Sequence, residues 1–79
     1  MTATESATAA RPTLSDRIVT AHNAAYAASN ATREAAIDYA QAAGVAVMVG
    51  DWKLAIEFDA KSKKLRELAD SIYATMIGN

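Results

Sequence analysis

Cysteine is absent from the 79 residues. That excludes a disulfide scaffold and fits an intracellular or virion protein. Glycine occurs three times and always singly, so no phosphate-cradling loop can be drawn. One histidine, His22, stands with Asn23 and Tyr26 as its polar neighbours and no acid on its own helical face. A metal site needs several converging ligands, and Glu34 with Asp38 gives only two carboxylates. No serine or threonine has a base nearby in sequence to activate it. No catalytic residue, metal ligand or cofactor is therefore expected, and the chain reads as a non-enzyme. No apolar run approaches the roughly 20 residues of a membrane span. The first ten residues lack the basic start and apolar core of a secretory signal. A cytoplasmic or virion-associated protein is the expectation.

Charge of one sign is scarce as well. The net charge is −1, so there is no global basic field of the kind that drives non-specific nucleic-acid binding. Lys61, Lys63, Lys64 and Arg66 cluster locally, but they spread around a helix among Glu57, Asp59, Glu67 and Asp70. A solvated face accounts for them, and nucleic acid is a poor third choice of partner.

Alanine is what the chain has. Apolar residues make up 52% of it, and twenty alanines supply about half of those. Alanine favours helix but buries little area. Domains this small bury only about 60% of the surface that their unfolded chains expose. A thin alanine core without disulfides or metals needs oligomerisation or a partner.

The stretch that organises the rest is Gly50–Asp51–Trp52. Glycine enters the left-handed conformation without a Cβ penalty and suits the position after a helix. Aspartate is a favoured N-cap for the helix that follows. A stop followed directly by a start predicts a tight antiparallel helical hairpin. Downstream, Leu54, Ala55, Phe58, Leu65, Leu68, Ala69, Ile72 and Met76 recur at three- and four-residue steps.

These residues resemble one tetratricopeptide-repeat-type hairpin over about residues 36–67. Gly50, Asp51, Trp52 and Ala55 match that family's turn. Tyr39, Ala43 and Ser62 fall where it places an aromatic and small residues. Ala46 and Glu67 depart from the pattern, at an aromatic and near a helix-ending proline. A repeat unit is about 34 residues, and the chain holds no second copy. The resemblance implies a hairpin and an adaptor or inhibitor that binds a larger protein. It does not supply the multi-repeat groove that captures peptides.

The expected fold is all-α with three helices, over about residues 14–29, 31–49 and 52–77. Residues 1–12 are expected to be a flexible tail and 13–79 a single helical domain. Thr13 and Asp16 form a variant capping box at the first helix. Asn30 and Thr32 are potential caps for a break near Asn30. A competing pattern runs through Leu14, Ile18, Ala21, Ala25, Ala28, Thr32, Ala35, Tyr39, Ala42, Ala46 and Val49. One long bent helix would keep that seam in phase. Val45, Val47 and Val49 alternate like a strand, but no second strand exists to pair with them. Gly44 costs a helix about 1 kcal/mol relative to alanine, which a close backbone approach would explain. At about 39 Å the third helix outruns the second at about 28 Å, so Leu68–Ile77 should overhang.

Function is expected to be protein–protein contact, with another copy or a different protein. Trp52, at a helix start, is a candidate anchor. The small face around Ala21, Ala25 and Ala28 permits close helix approach. The far end at Leu68, Ile72 and Met76 needs a cover. A compact helical protein of this size suits a component of a larger assembly, such as a phage particle. Neither a membrane nor a small-molecule substrate is expected.

Overall fold

The computed structural model describes residues 13–78. They form two antiparallel α-helices, α1 (Leu14–Met48) and α2 (Trp52–Met76). The expected tail at residues 1–12 and the terminal Asn79 lie outside the described residues.

The all-α hairpin stands, and the count of three helices is corrected to two. There is no break at Asn30, because α1 runs through it for 35 residues. Thr32, one of the two residues read as caps, is engaged otherwise. Thr32 Oγ1 donates to the carbonyl of Ala28 at 2.7 Å, inside the helix rather than at its end. Contacts with α2 also continue across the site. The Tyr26 and Tyr73 rings lie 6.5 Å apart on one side of Asn30, and Arg33 meets Asp70 at 2.9 Å on the other. A helix buried on both sides of a polar residue has no reason to stop there, since packing outweighs the small propensity cost of asparagine.

The ends follow local chemistry. Thr13 Oγ1 accepts from the Asp16 N–H at 3.0 Å, and Asp16 Oδ2 accepts from the Thr13 N–H at 3.1 Å. At the corner, Gly50 adopts φ 79°. The Gly50 N–H donates to the Val47 carbonyl at 3.0 Å, and the Asp51 N–H to Ala46 at 2.8 Å. This paired closure satisfies carbonyls that the helix end would leave free. Asp51 Oδ1 then accepts from the Leu54 N–H at 3.1 Å and starts α2. The valine segment is helical as far as Met48.

The core is a seam of small residues. Ser29, Ala36, Ala43 and Ala46 of α1 are buried against Ala55, Ser62 and Ala69 of α2. Ser29 Oγ donates to the Ala69 carbonyl at 2.9 Å, and Ser62 Oγ to the Ala36 carbonyl at 2.6 Å. These bonds fix the register: Ser29 opposite Ala69, Ala36 opposite Ser62 and, one heptad on, Ala43 opposite Ala55. Small residues every seventh position on both helices let the backbones approach closely along their whole contact. No side chain larger than serine is fully buried among the described residues.

The expected overhang is reversed. With α1 continuous, it is about 52 Å long against about 37 Å for α2. The register pairs α1 with α2 only down to about His22. Leu14 to Ala21 therefore project about 12 Å beyond the end of α2, and Leu14 is 76% exposed.

Candidate interaction surface

A hairpin one helix thick has two broad faces, and here they differ in chemistry. On the first, α1 places Ala21, Ala25, Ala28, Thr32, Ala35, Tyr39 and Ala42 in a row beside the seam. Helical spacing puts Phe58, Lys61, Leu65, Leu68, Ile72 and Met76 of α2 next to it. The row on α1 is nearly all alanine, and that on α2 is nearly all large and apolar. Tyr39 and Phe58 meet with ring centroids 5.6 Å apart, and the Lys61 ammonium lies 5.7 Å and 5.9 Å from those two rings. Lys61 is also 3.7 Å from Glu57. It is the one charge inside this strip. Lys64 and Asp38 border it.

The second face carries Tyr26, Arg33, Ile37, Ala40, Gly44 and Val47 of α1 beside Trp52, Ile56, Asp59, Lys63, Arg66, Asp70 and Tyr73 of α2. Its middle is charged. Asp59 pairs with Lys63 at 3.2 Å. Asp70 takes Arg33 across the hairpin at 2.9 Å, although Arg66 stands one turn away on its own helix. The crossing ties α1 to α2.

Five of the seven residues singled out as a partner interface come together. Ala21, Ala25, Leu68, Ile72 and Met76 line one open groove of about 470 Å³ on the first face, with His22 at its edge. Ala28 lies one turn further along the same row and is exposed. Trp52 is elsewhere. It is 63% exposed and lines a separate groove of about 410 Å³ on the second face, with Val47 and Ile56. Gly44 borders that groove, and a Cβ there would meet nothing within 4 Å. The close backbone approach expected at Gly44 is therefore absent, because the seam runs through Ala43 instead.

Sequence reasoning missed Ser29 as a core position and the Tyr39–Phe58–Lys61 cluster. The signal for Ser29 was present: Ser29, Ala36 and Ala43 repeat at the same interval as Ala55, Ser62 and Ala69.

Among the described residues no three histidine, aspartate or glutamate side chains converge, and every buried side-chain polar atom has a hydrogen-bond partner. Ser71 and Thr75 share the groove with His22. The Thr75 hydroxyl is engaged by the carbonyl of Ser71 at 2.8 Å. No described helix is long and apolar enough to cross a membrane. Compared with known proteins, the chain matches no family model, no curated sequence and no solved structure.

Proposed function

We propose that this chain is a non-enzymatic helical-hairpin interaction module that self-associates, alone or as part of a larger assembly. One observation carries the reading. The buried seam contains only alanine and serine, while Leu14, Ile18, Leu68, Trp52 and Ile56 all stay on the surface. Burial of large apolar side chains supplies most of the free energy of folding, at about 1.5–3 kcal/mol for each. A chain that fully encloses none of its leucines or isoleucines, and leaves Leu54, Leu65 and Ile72 half-buried, gains the rest of that energy only when another surface covers them.

The test is the solution mass by light scattering across a dilution series, with helicity measured on the same samples. An oligomer that loses helix as it dissociates supports the reading. A monomer that stays helical when dilute overturns it.

A second reading, an adaptor or inhibitor docking through the turn, is favoured by one feature of the tip. Trp52 and Ile56 are 63% and 71% exposed on the charged face. Trp52 is the one tryptophan, so its emission reports the tip alone. A maximum that stays at the long wavelength of hydrated indole throughout the dilution series leaves the tip free for a different protein. A blue shift on association places it in the self-contact.

A further inference from the structure

We propose that the occupant of the alanine-and-leucine face is a second copy of this chain. The two hairpins would be related by a twofold axis parallel to the helices, so that α1 of each lies over α2 of the other. This rests on the self-association proposed above and assigns its surface and geometry.

The size of the face agrees. The 25 residues of α2 give a contact about 37 Å long, and two helices are about 20 Å wide. That footprint, on the order of 750 Å², matches the roughly 800 Å² per partner of a standard stable interface. Residues 1–12 carry no large apolar side chain after Met1, so they cannot supply an apolar cover of that area.

The shape agrees as well. An axis parallel to the helices keeps every residue at its own height. The seam register then sets Phe58, Leu65, Leu68, Ile72 and Met76 of one copy over α1 of the other. Leu68 comes level with the gap after Ala28, Ile72 with the gap between Ala25 and Ala28, and Met76 with that between Ala21 and Ala25. Large side chains meet a row of small ones, which is how ridges fill grooves. The other closed arrangement, with the axis across the helices, sets alanine on alanine and leucine on leucine. At full overlap it also brings Lys64, at the middle of α2, onto Lys64 of the second copy.

Charge selects the same arrangement. Lys61 is one residue from Ser62 and Asp38 two from Ala36, so the two stand within about 1.5 Å of one height. Lys64 and Glu34 share a height by the same register. Lys64, on the border of α2, is thus brought to the rim of α1 that carries Asp38, and Lys61 faces that rim from within the strip. Asp38 and Glu34 form no ion pair within the described hairpin, and opposite charges across a rim fix register and orientation.

The experiment uses the full chain and its lack of cysteine. Lys61→Cys and Asp38→Cys variants are mixed and oxidised. A disulfide-linked Lys61→Cys–Asp38→Cys heterodimer, in excess over either homodimer, is the expected product. Charge inversion at Lys61 (Lys61→Asp) should weaken association about 10-fold, and adding Asp38→Lys should restore it. Leu68→Glu should weaken it at least about 30-fold, with helicity at high concentration retained. Ile37→Glu, on the opposite face, should leave it unchanged. Dissociation by Ile37→Glu but not by Leu68→Glu would overturn the face while self-association stands. Predominant homodimer crosslinks would overturn the arrangement. Weakening on deletion of residues 1–12 equal to that from Leu68→Glu would assign the face to that segment instead. A parent chain that is monomeric throughout the dilution series would remove the underlying reading, and this one with it.

Discussion

The buried hydroxyl of Ser29 donates a 2.9 Å hydrogen bond to the backbone carbonyl of Ala69, forty residues away on the other helix. The carbonyl oxygen has a second lone pair to offer beyond its helical bond. Ser62 repeats the arrangement in the opposite direction, to Ala36. Each bond holds two helices in register at a point where a methyl group would pack equally well. Ser29→Ala and Ser62→Ala should therefore each cost about 1 kcal/mol, since no buried group is left unsatisfied. The sites are about 10 Å apart along the seam, so the two losses should add. Ser29→Leu should cost about 1–3 kcal/mol or more, because it pushes close-packed backbones apart. Urea unfolding at fixed protein concentration measures these three variants and the Ser29→Ala, Ser62→Ala double variant.

Gly44 sits in the interior of α1, exposed, with open space where a Cβ would be. Its φ is not positive, so alanine meets no strain there. Gly44→Ala should raise stability by about 1 kcal/mol through helix propensity alone. A loss on the same unfolding curve would mean that a partner approaches the backbone at this point.

The corner behaves oppositely. Gly50 holds φ 79°, where an L side chain is strained although space is free. Gly50→Ala should cost about 1–2 kcal/mol, and Asp51→Ala about 1 kcal/mol through the lost cap on Leu54. Thermal unfolding followed by helicity should show both shifts with no change in the folded spectrum. Helical content that fell with Asp51→Ala would place the weak point of the fold at the start of α2.

Arg33 and Asp70 are joined at 2.9 Å, but both side chains are exposed. Solvent screening holds such a pair to at most about 1 kcal/mol. Asp70→Asn should reduce stability by less than that, and the difference should shrink further as salt is raised. Parent and variant compared at low and high salt provide the check.

The corner was legible because each residue there has one dominant local reason. Gly50 and Asp51 report a left-handed closure and a cap whatever surrounds them. The capping box at Thr13 and Asp16 and the amphipathic course of α2 were legible on the same grounds. The unbroken α1 was not, because Asn30 and Thr32 carry the same local signal in a helix interior as at a cap. Only the contacts of Tyr26 and Arg33 with α2 decide between them. The seam was read one residue off at Ala28, Ala35 and Ala42, since each adjoins another small residue at Ser29, Ala36 and Ala43. Alanine beside alanine or serine gives hydrophobicity no edge to detect. What separates the neighbours is the register set by α2.

Asn30 offers the sharpest test of the continuous helix, because the effect of one substitution changes sign with the structure and that of another nearly vanishes. In a helix interior, exposed asparagine is a poorer former than alanine, so Asn30→Ala should stabilise by about 0.5 kcal/mol. Were Asn30 the cap of a second helix, the same change would cost about 1 kcal/mol. Proline separates the cases further. Inside α1 it would remove the bond to the carbonyl of Tyr26 and clash with it, a loss of about 3 kcal/mol or more. At a true break it would be tolerated. Urea midpoints for Asn30→Ala and Asn30→Pro, with helicity recorded alongside, should move in opposite directions. The proline variant should also lose the Ser29–Ala69 register, since a kink at residue 30 turns Ser29 away from α2. A proline variant that unfolds at the parent's midpoint would restore the three-helix architecture and end the case for one continuous α1.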